Sequence, residues 1–131
     1  MVFEKLRNHL KIPYLVNGYL SRRSTHEALK AQLYVLGFKL SCIPILEANL
    51  NDNKDKTRMD CLFVKNGNPV CGIEIDYSLN VKSIFKLLQL GSDVEKIIIS
   101  YGRKAARRKA VYRHKGHLQD IKNYILYSEE E

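Results

Sequence analysis

The sequence predicts a mixed α/β domain, a mixed sheet with helices against it, and three observations carry that expectation. Residues 58–76 read as two β-strands around Asn66-Gly67-Asn68, with Met59, Cys61 and Phe63 on one side of the turn able to share an apolar face with Cys71, Ile73 and Ile75 on the other, the mark of a β-hairpin. Residues 96–101, Lys-Ile-Ile-Ile-Ser-Tyr, run without alternation, as a strand does when both faces are covered. Before and between these segments, apolar residues recur three and four apart, the spacing of amphipathic helices.

In chain order, residues 2–11 read as a short helix with Phe3, Leu6 and Leu10 on one stripe. Pro13 and Gly18 punctuate the link that follows. A second helix is expected from Ser24 to about Leu36, stopped by Gly37, with Ala28, Leu29, Leu33 and Leu36 toward the core. Residues 41–50 form a strand in which Pro44 marks an edge or a bulge. Asn51 to Lys56 is a polar loop, and the hairpin comes next. Residues 81–90 are helical, with Val81, Ile84, Phe85 and Leu88 on the core face and Gly91 at the end. The strand over 96–101 should lie parallel to its predecessor through a right-handed crossover. A basic helix follows Gly102, Gly116 breaks it, and a last helix carries Leu118, Ile121 and Ile125. Ser128 to Glu131 is a frayed acidic tail.

With 131 residues, 45% of them hydrophobic, the chain can bury one core, and it reads as a single domain over 1–131. The core is expected over 20–101 and a basic helical extension over 102–127. It has no apolar run of the ~18 residues a membrane span needs, and its mixed first ten residues are unlike a secretory signal. Three cysteines, Cys42, Cys61 and Cys71, make no CxxC pair, and an odd number argues for an intracellular chain without a disulfide framework. With His114 and His117 they show no zinc-finger spacing.

The net charge of +8 favours a polyanionic partner, nucleic acid before membrane. The charge is concentrated. Arg103, Lys104, Arg107, Arg108, Lys109, Arg113 and Lys115 crowd one segment without an acid among them, a density that phosphate would relieve.

The hairpin carries the chemistry. If Asn66, Gly67 and Asn68 form a three-residue loop, Asp60 falls opposite Glu74, and Met59, Cys61 and Phe63 face Ile75, Ile73 and Cys71 as one apolar surface. A two-residue loop would shift every pair by one and place Asp60 among those apolar residues. Cross-strand Cβ atoms stand ~5 Å apart, and two carboxylates so close repel unless a cation lies between them. Asp76 points to the same face as Glu74.

This order of elements, with Asp-x13-Glu-x-Asp on the hairpin and Gly72-Ile-Glu-Ile-Asp76 leading to Lys82-Ser-Ile-Phe-Lys-Leu87, resembles the PD-(D/E)XK nuclease superfamily over roughly residues 20–101. Chain length and the place of Glu27 resemble the archaeal Holliday-junction resolvases within it, and small nucleases of archaeal viruses. The resemblance implies a restriction-endonuclease-like αβββαβ core and a metal-dependent endonuclease hydrolysing DNA phosphodiester bonds, selective for substrate structure. It also implies action inside a cell, the host cell if the chain is virus-encoded. Asp60 matches the family's metal-binding Asp, Glu74 the Glu of its Glu-x-Lys, and Glu27 its helix Glu, while Ile75 would offer a backbone carbonyl. The departure is Asp76, where the usual member has Lys. Lys82 or Lys86, four apart on one helix face, would replace it, and Lys82 joins Asp60, Glu74 and Glu27 in the candidate catalytic set. Asp60, Glu74, Ile75 and Asp76 would hold Mg²⁺ or Mn²⁺, ions suited to hard oxygen ligands.

Plainer readings stand beside these. Ser24-Thr-His-Glu27 is a capping box. Asp76 falls opposite Arg58 and could be half of an exposed ion pair. Lys82 and Lys86 could be a solvated face, His26 a surface residue, and Tyr101, Tyr112, Tyr124 and Tyr127 core or rim. Two functions from different classes follow. One is the nuclease, with two sites for two strands if it forms a homodimer. The other is a nucleic-acid-binding module on a nuclease scaffold without activity, favoured by the missing Lys and by a helix-turn-helix-like 103–127.

Overall fold

Asn66 and Gly67 adopt left-handed backbone conformations, φ 52° and 78°, and close a two-residue hairpin turn between Lys65 and Asn68. The expected three-residue loop is therefore not formed. The expected register nevertheless holds further along, because a bulge lies between Val64–Pro69 and Phe63–Cys71 and leaves Val70 as the extra residue. The bulge cancels the shift a two-residue turn imposes, so Phe63 faces Cys71 and Cys61 faces Ile73.

The computed structural model describes residues 1–13, 20–50, 57–102, 116 and 119–126. The elements are α1 (Val2–Leu6), α2 (Arg22–Lys39), β1 (Ile43–Asn49), β2 (Arg58–Lys65), β3 (Asn68–Asp76), α3 (Val81–Leu88), β4 (Glu95–Ser100) and β5 (Lys122–Ile125). The five strands form one mixed sheet in the order β1-β2-β3-β4-β5. β1, β2 and β3 are antiparallel neighbours, and β4 lies parallel to β3, as a crossover through α3 requires. No described helix is long and apolar enough to cross a membrane.

Helices cover both faces. Leu29, Leu33 and Leu36 of α2, with Val2 and Leu6 of α1, pack on Cys61, Phe63, Ile73, Ile97 and Ile99. Ile84 and Leu87 of α3 pack on Leu62 and Ile98 from the other side. All six residues of β4 are buried, which is why its sequence does not alternate. The cysteines are free and buried, and burial pushes the Cys61 thiol up to about 12, so they serve the core as apolar groups. α1 docks through its N-terminus, where the Glu95 carboxylate accepts from the Val2 and Phe3 N–H groups at 2.9 and 3.0 Å.

Several boundaries differ from the sequence reading. α2 begins two residues early, at Arg22, with Ser21 as N-cap accepting from Ser24 N–H, so the Ser24–Glu27 capping box does not form. Gly37 does not stop α2. It lets the helix lie close to the sheet, since a Cβ there would come within 2.7 Å of Pro44 and 3.1 Å of Phe63. α3 buries Ser83, Ile84 and Leu87 and leaves Val81, Phe85 and Leu88 substantially exposed, a rotation of the expected stripe. The expected last helix is instead β5. Its i, i+3, i+4 spacing suits a helix, but the open edge of β4 needs hydrogen-bond partners, and residues 122–125 supply them in parallel register. Asn123 strengthens the join, donating to Ile98 O and Ser100 Oγ, both at 3.0 Å. The 51–56 loop, the basic segment 103–115, Leu118 and the acidic tail lie outside the described residues.

Candidate active site

At one rung of the sheet, alternation breaks in two neighbouring strands together. Leu46 and Cys61 pair and both join the α2-side core, whereas Ala48 and Met59, two residues on, pair and both join the α3-side core. Between them lie Glu47 and Asp60, which that register sets opposite each other. Glu47 has φ 52°, a left-handed turn inside a strand. The consequence is that Met59 leaves the apolar face expected for it and Asp60 turns toward α2.

On its other side Asp60 meets β3, where the backbone pairing stops at Cys61–Ile73. Beyond that point the two carboxylates interlock with the opposite backbone. Ile75 N–H donates to Asp60 Oδ2, and Asp60 N–H donates to Glu74 Oε2, both at 2.7 Å. Glu74 is 1% exposed. Its Oε1 lies 2.6 Å from Lys86 Nζ of α3, a charge contact out of hydrogen-bond alignment, and Lys86 also donates to Arg58 O. From the other face His26 of α2 brings Nε2 to 3.3 Å from Asp60 Oδ2. The carboxylate pair thus sits in an opened seam between β2 and β3, held by a basic side chain from each helical layer.

The electrostatics follow. Glu74 is pushed up to about 7, first by burial and then by the Asp60 charge, against the pull of Lys86. Asp60 is pushed up by burial too, but His26 and the Ile75 N–H outweigh it and hold Asp60 below its ordinary range. The bond to Asp60 raises His26 despite desolvation. Asp76 is pushed up to about 6, chiefly by burial, with the Ser83 hydroxyl opposing. Its Oδ2 is buried and has no hydrogen-bond partner among the described residues. A buried acceptor left without a donor is unfavourable, and a cation would relieve it.

Asp60 and Glu74 come together as the sequence suggested, with Ile75 beside them. Its N–H faces Asp60. Asp76 is one step further along β3, where the Ser83 hydroxyl, not the expected Arg58, acts on its carboxyl. Glu27 stands apart, 58% exposed, with Lys30 at 3.2 Å and His26 at 3.8 Å as its ion-pair partners. Lys82 lines an open cleft of about 670 Å³ together with Glu47, Arg58, Asp60, Phe85 and Lys86, but Lys86 makes the contact with Glu74. Arg103 to Lys115 lie outside the described residues. Sequence reasoning placed His26 on the surface and passed over Glu47 and Lys30. The signal available for His26 and Lys30 was their i, i+4 spacing, which puts both on one face of α2. Among the described residues no three acidic, histidine or cysteine side chains already form a metal cage. The chain matches no family model, no curated protein and no solved structure.

Proposed function

We propose that this protein is a metal-dependent nuclease of the PD-(D/E)XK type, acting on DNA phosphodiester bonds. The observation that carries the reading is the Asp60–Glu74 pair, interlocked across an opened hairpin with Lys86 against it. The residues fit a hard divalent ion, Mg²⁺ or Mn²⁺. Asp60 and Glu74 would hold it, and the unpartnered oxygen of buried Asp76 is one more hard donor. When bound, such an ion supplies an activated water and neutralises phosphate charge. Lys86 takes the part of the missing family Lys, because its ammonium is already at the carboxylate and at the cleft wall. His26 orients Asp60 and keeps it ionised. The basic segment 103–115 would grip phosphates without reading sequence, leaving selectivity to substrate shape. A homodimer would present two such sites to two strands.

The second reading is a DNA-binding module on the same scaffold without activity. It is favoured by Asp76 in place of Lys and by donors that already occupy Asp60 and Glu74. Cleavage of plasmid, single-stranded and four-way-junction DNA with Mg²⁺ or Mn²⁺ separates the two. Asp60→Asn should lower cleavage at least ~100-fold, more than loss of an outer partner does, and leave DNA binding intact or tighter. Cleavage unchanged in Asp60→Asn would remove the site assignment. No cleavage by the parent, with salt-sensitive binding, would favour the module.

A further inference from the structure

Glu47 is the one described residue whose backbone is left-handed without a turn to explain it. Ser41 follows the end of α2 and Asn66 opens the hairpin turn, positions where such a φ is ordinary. Glu47 lies inside β1, at the rung where both strands break alternation. In extended conformation it would point to the α3 side with exposed Ile43 and Ile45. The left-handed φ instead turns its carboxylate to α2, where Oε1 accepts from Lys30 Nζ at 2.7 Å. Lys30 is only 8% exposed, an uncommon place for an ammonium, and Glu27 completes its coordination at 3.2 Å. Strained backbone held by its surroundings gathers at functional sites, and Glu47 lines the same cleft as Asp60.

The arrangement is a double grip. His26 and Lys30 share one face of α2, and each takes one of the two carboxylates facing each other across β1 and β2: His26 takes Asp60 and Lys30 takes Glu47. We propose that Glu47 and Lys30 are positioning residues of the site, fixing the face of α2 that holds His26 against Asp60. The inference about geometry stands on these contacts, and its consequence for metal binding rests on the nuclease reading.

The test replaces the pair as a unit. Lys30→Met with Glu47→Gly removes both charges together and frees the backbone to extend, so the melting temperature should stay or rise. His26 should then react several-fold faster with diethylpyrocarbonate, read by mass spectrometry at that residue, with His9 as the internal control. Mn²⁺ affinity should weaken about tenfold or more, as when an outer-shell partner is lost. Glu47→Asp, which tolerates the left-handed φ and keeps the charge, should hold the parental labelling rate, and Glu47→Asn should not. The Glu47→Asn comparison decides the question if the double variant does not fold. Parental His26 reactivity in folded variants lacking the pair would overturn the proposal, whatever happens to stability. A parent that binds no Mn²⁺ would sink the nuclease reading alone, because labelling reports the His26 contact without metal.

Discussion

On the proposed nuclease reading, Glu74 is the residue that would tie stability to activity. Its carboxyl is buried, and its value of about 7 lies above its ordinary 4.5. Between those values the folded protein keeps a proton that the unfolded chain has lost. Stability from this group is therefore complete below 4.5 and is lost as pH rises through 7. Asp76 acts in the same sense between 3.8 and about 6, and so does His26, raised above its ordinary 6.5. Asp60, lowered below 3.8, acts oppositely, and only in acid. In chelator, the melting temperature should fall from about pH 5 to about pH 8, and Glu74→Gln should flatten that slope. If the nuclease reading holds, cleavage should rise over the same window, because the ionised carboxylate is the form that would hold a metal. Added Mn²⁺ should raise the melting temperature more at the alkaline end. A profile independent of pH in the parent would show that Glu74 keeps an ordinary carboxylate. Lys86 is the counterpart. On the same reading Lys86→Met leaves Glu74 buried without its cation and should lower cleavage and move what remains to higher pH, while Lys82→Met should leave both in place.

At the scale of elements, the site depends on how closely α2 approaches the sheet. That approach is set at the far end of the helix, where Gly37 meets Pro44 and Phe63. Gly37→Ala forces a methyl into a 2.7 Å gap lined by a rigid proline ring and should destabilise the protein by about 1–3 kcal/mol in a urea melt. Since α2 also carries His26 and Lys30, Mn²⁺ affinity should fall with it. An alanine variant as stable as the parent would mean the helix shifts freely. The hairpin teaches a related lesson about register. Its shared apolar face was legible, and so was the opposition of Asp60 and Glu74, because only one register keeps Cys61 and Phe63 on the same face as Cys71 and Ile73. The way the register is reached was not legible. A three-residue loop and a two-residue turn with a bulge at Val70 give the same pairing at Cys61–Ile73, and the second prevails because Asn66-Gly67 suits a left-handed turn.

At the scale of the whole molecule, charge is the leading property. Seven basic residues between Arg103 and Lys115 should make DNA binding fall steeply with salt, each phosphate contact adding about −0.9 to the logarithmic slope on duplex DNA. Changing Arg107, Arg108 and Lys109 together to Gln should reduce that slope by about 2–3 and weaken all sequences alike. A flat salt response in the parent would detach the basic segment from nucleic acid. The segment lies between β4 and β5, so neutralising charges leaves the sheet intact where truncation would remove a strand.

The sequence by itself determined the local structure. Periodicity marked α2 and α3, because burying one face leaves a 3.6-residue rhythm in the residues, turn residues between apolar segments marked the hairpin, and an unbroken apolar run marked β4, which is covered on both faces. It also determined the acidic pair, since opposing carboxylates on a hairpin follow from register. The tertiary structure decided what depends on residues distant along the chain. It made 122–125 a strand by offering the bare edge of β4, turned α3 so that Ile84 and Leu87 meet the sheet, and gave Gly37 its purpose. It also chose Lys86 over Lys82 for Glu74 and brought His26 and Lys30 onto Asp60 and Glu47. Periodicity tells which face of an element is apolar. Which partner meets that face, and which charges meet at its rim, is set by packing between segments that have no common rhythm.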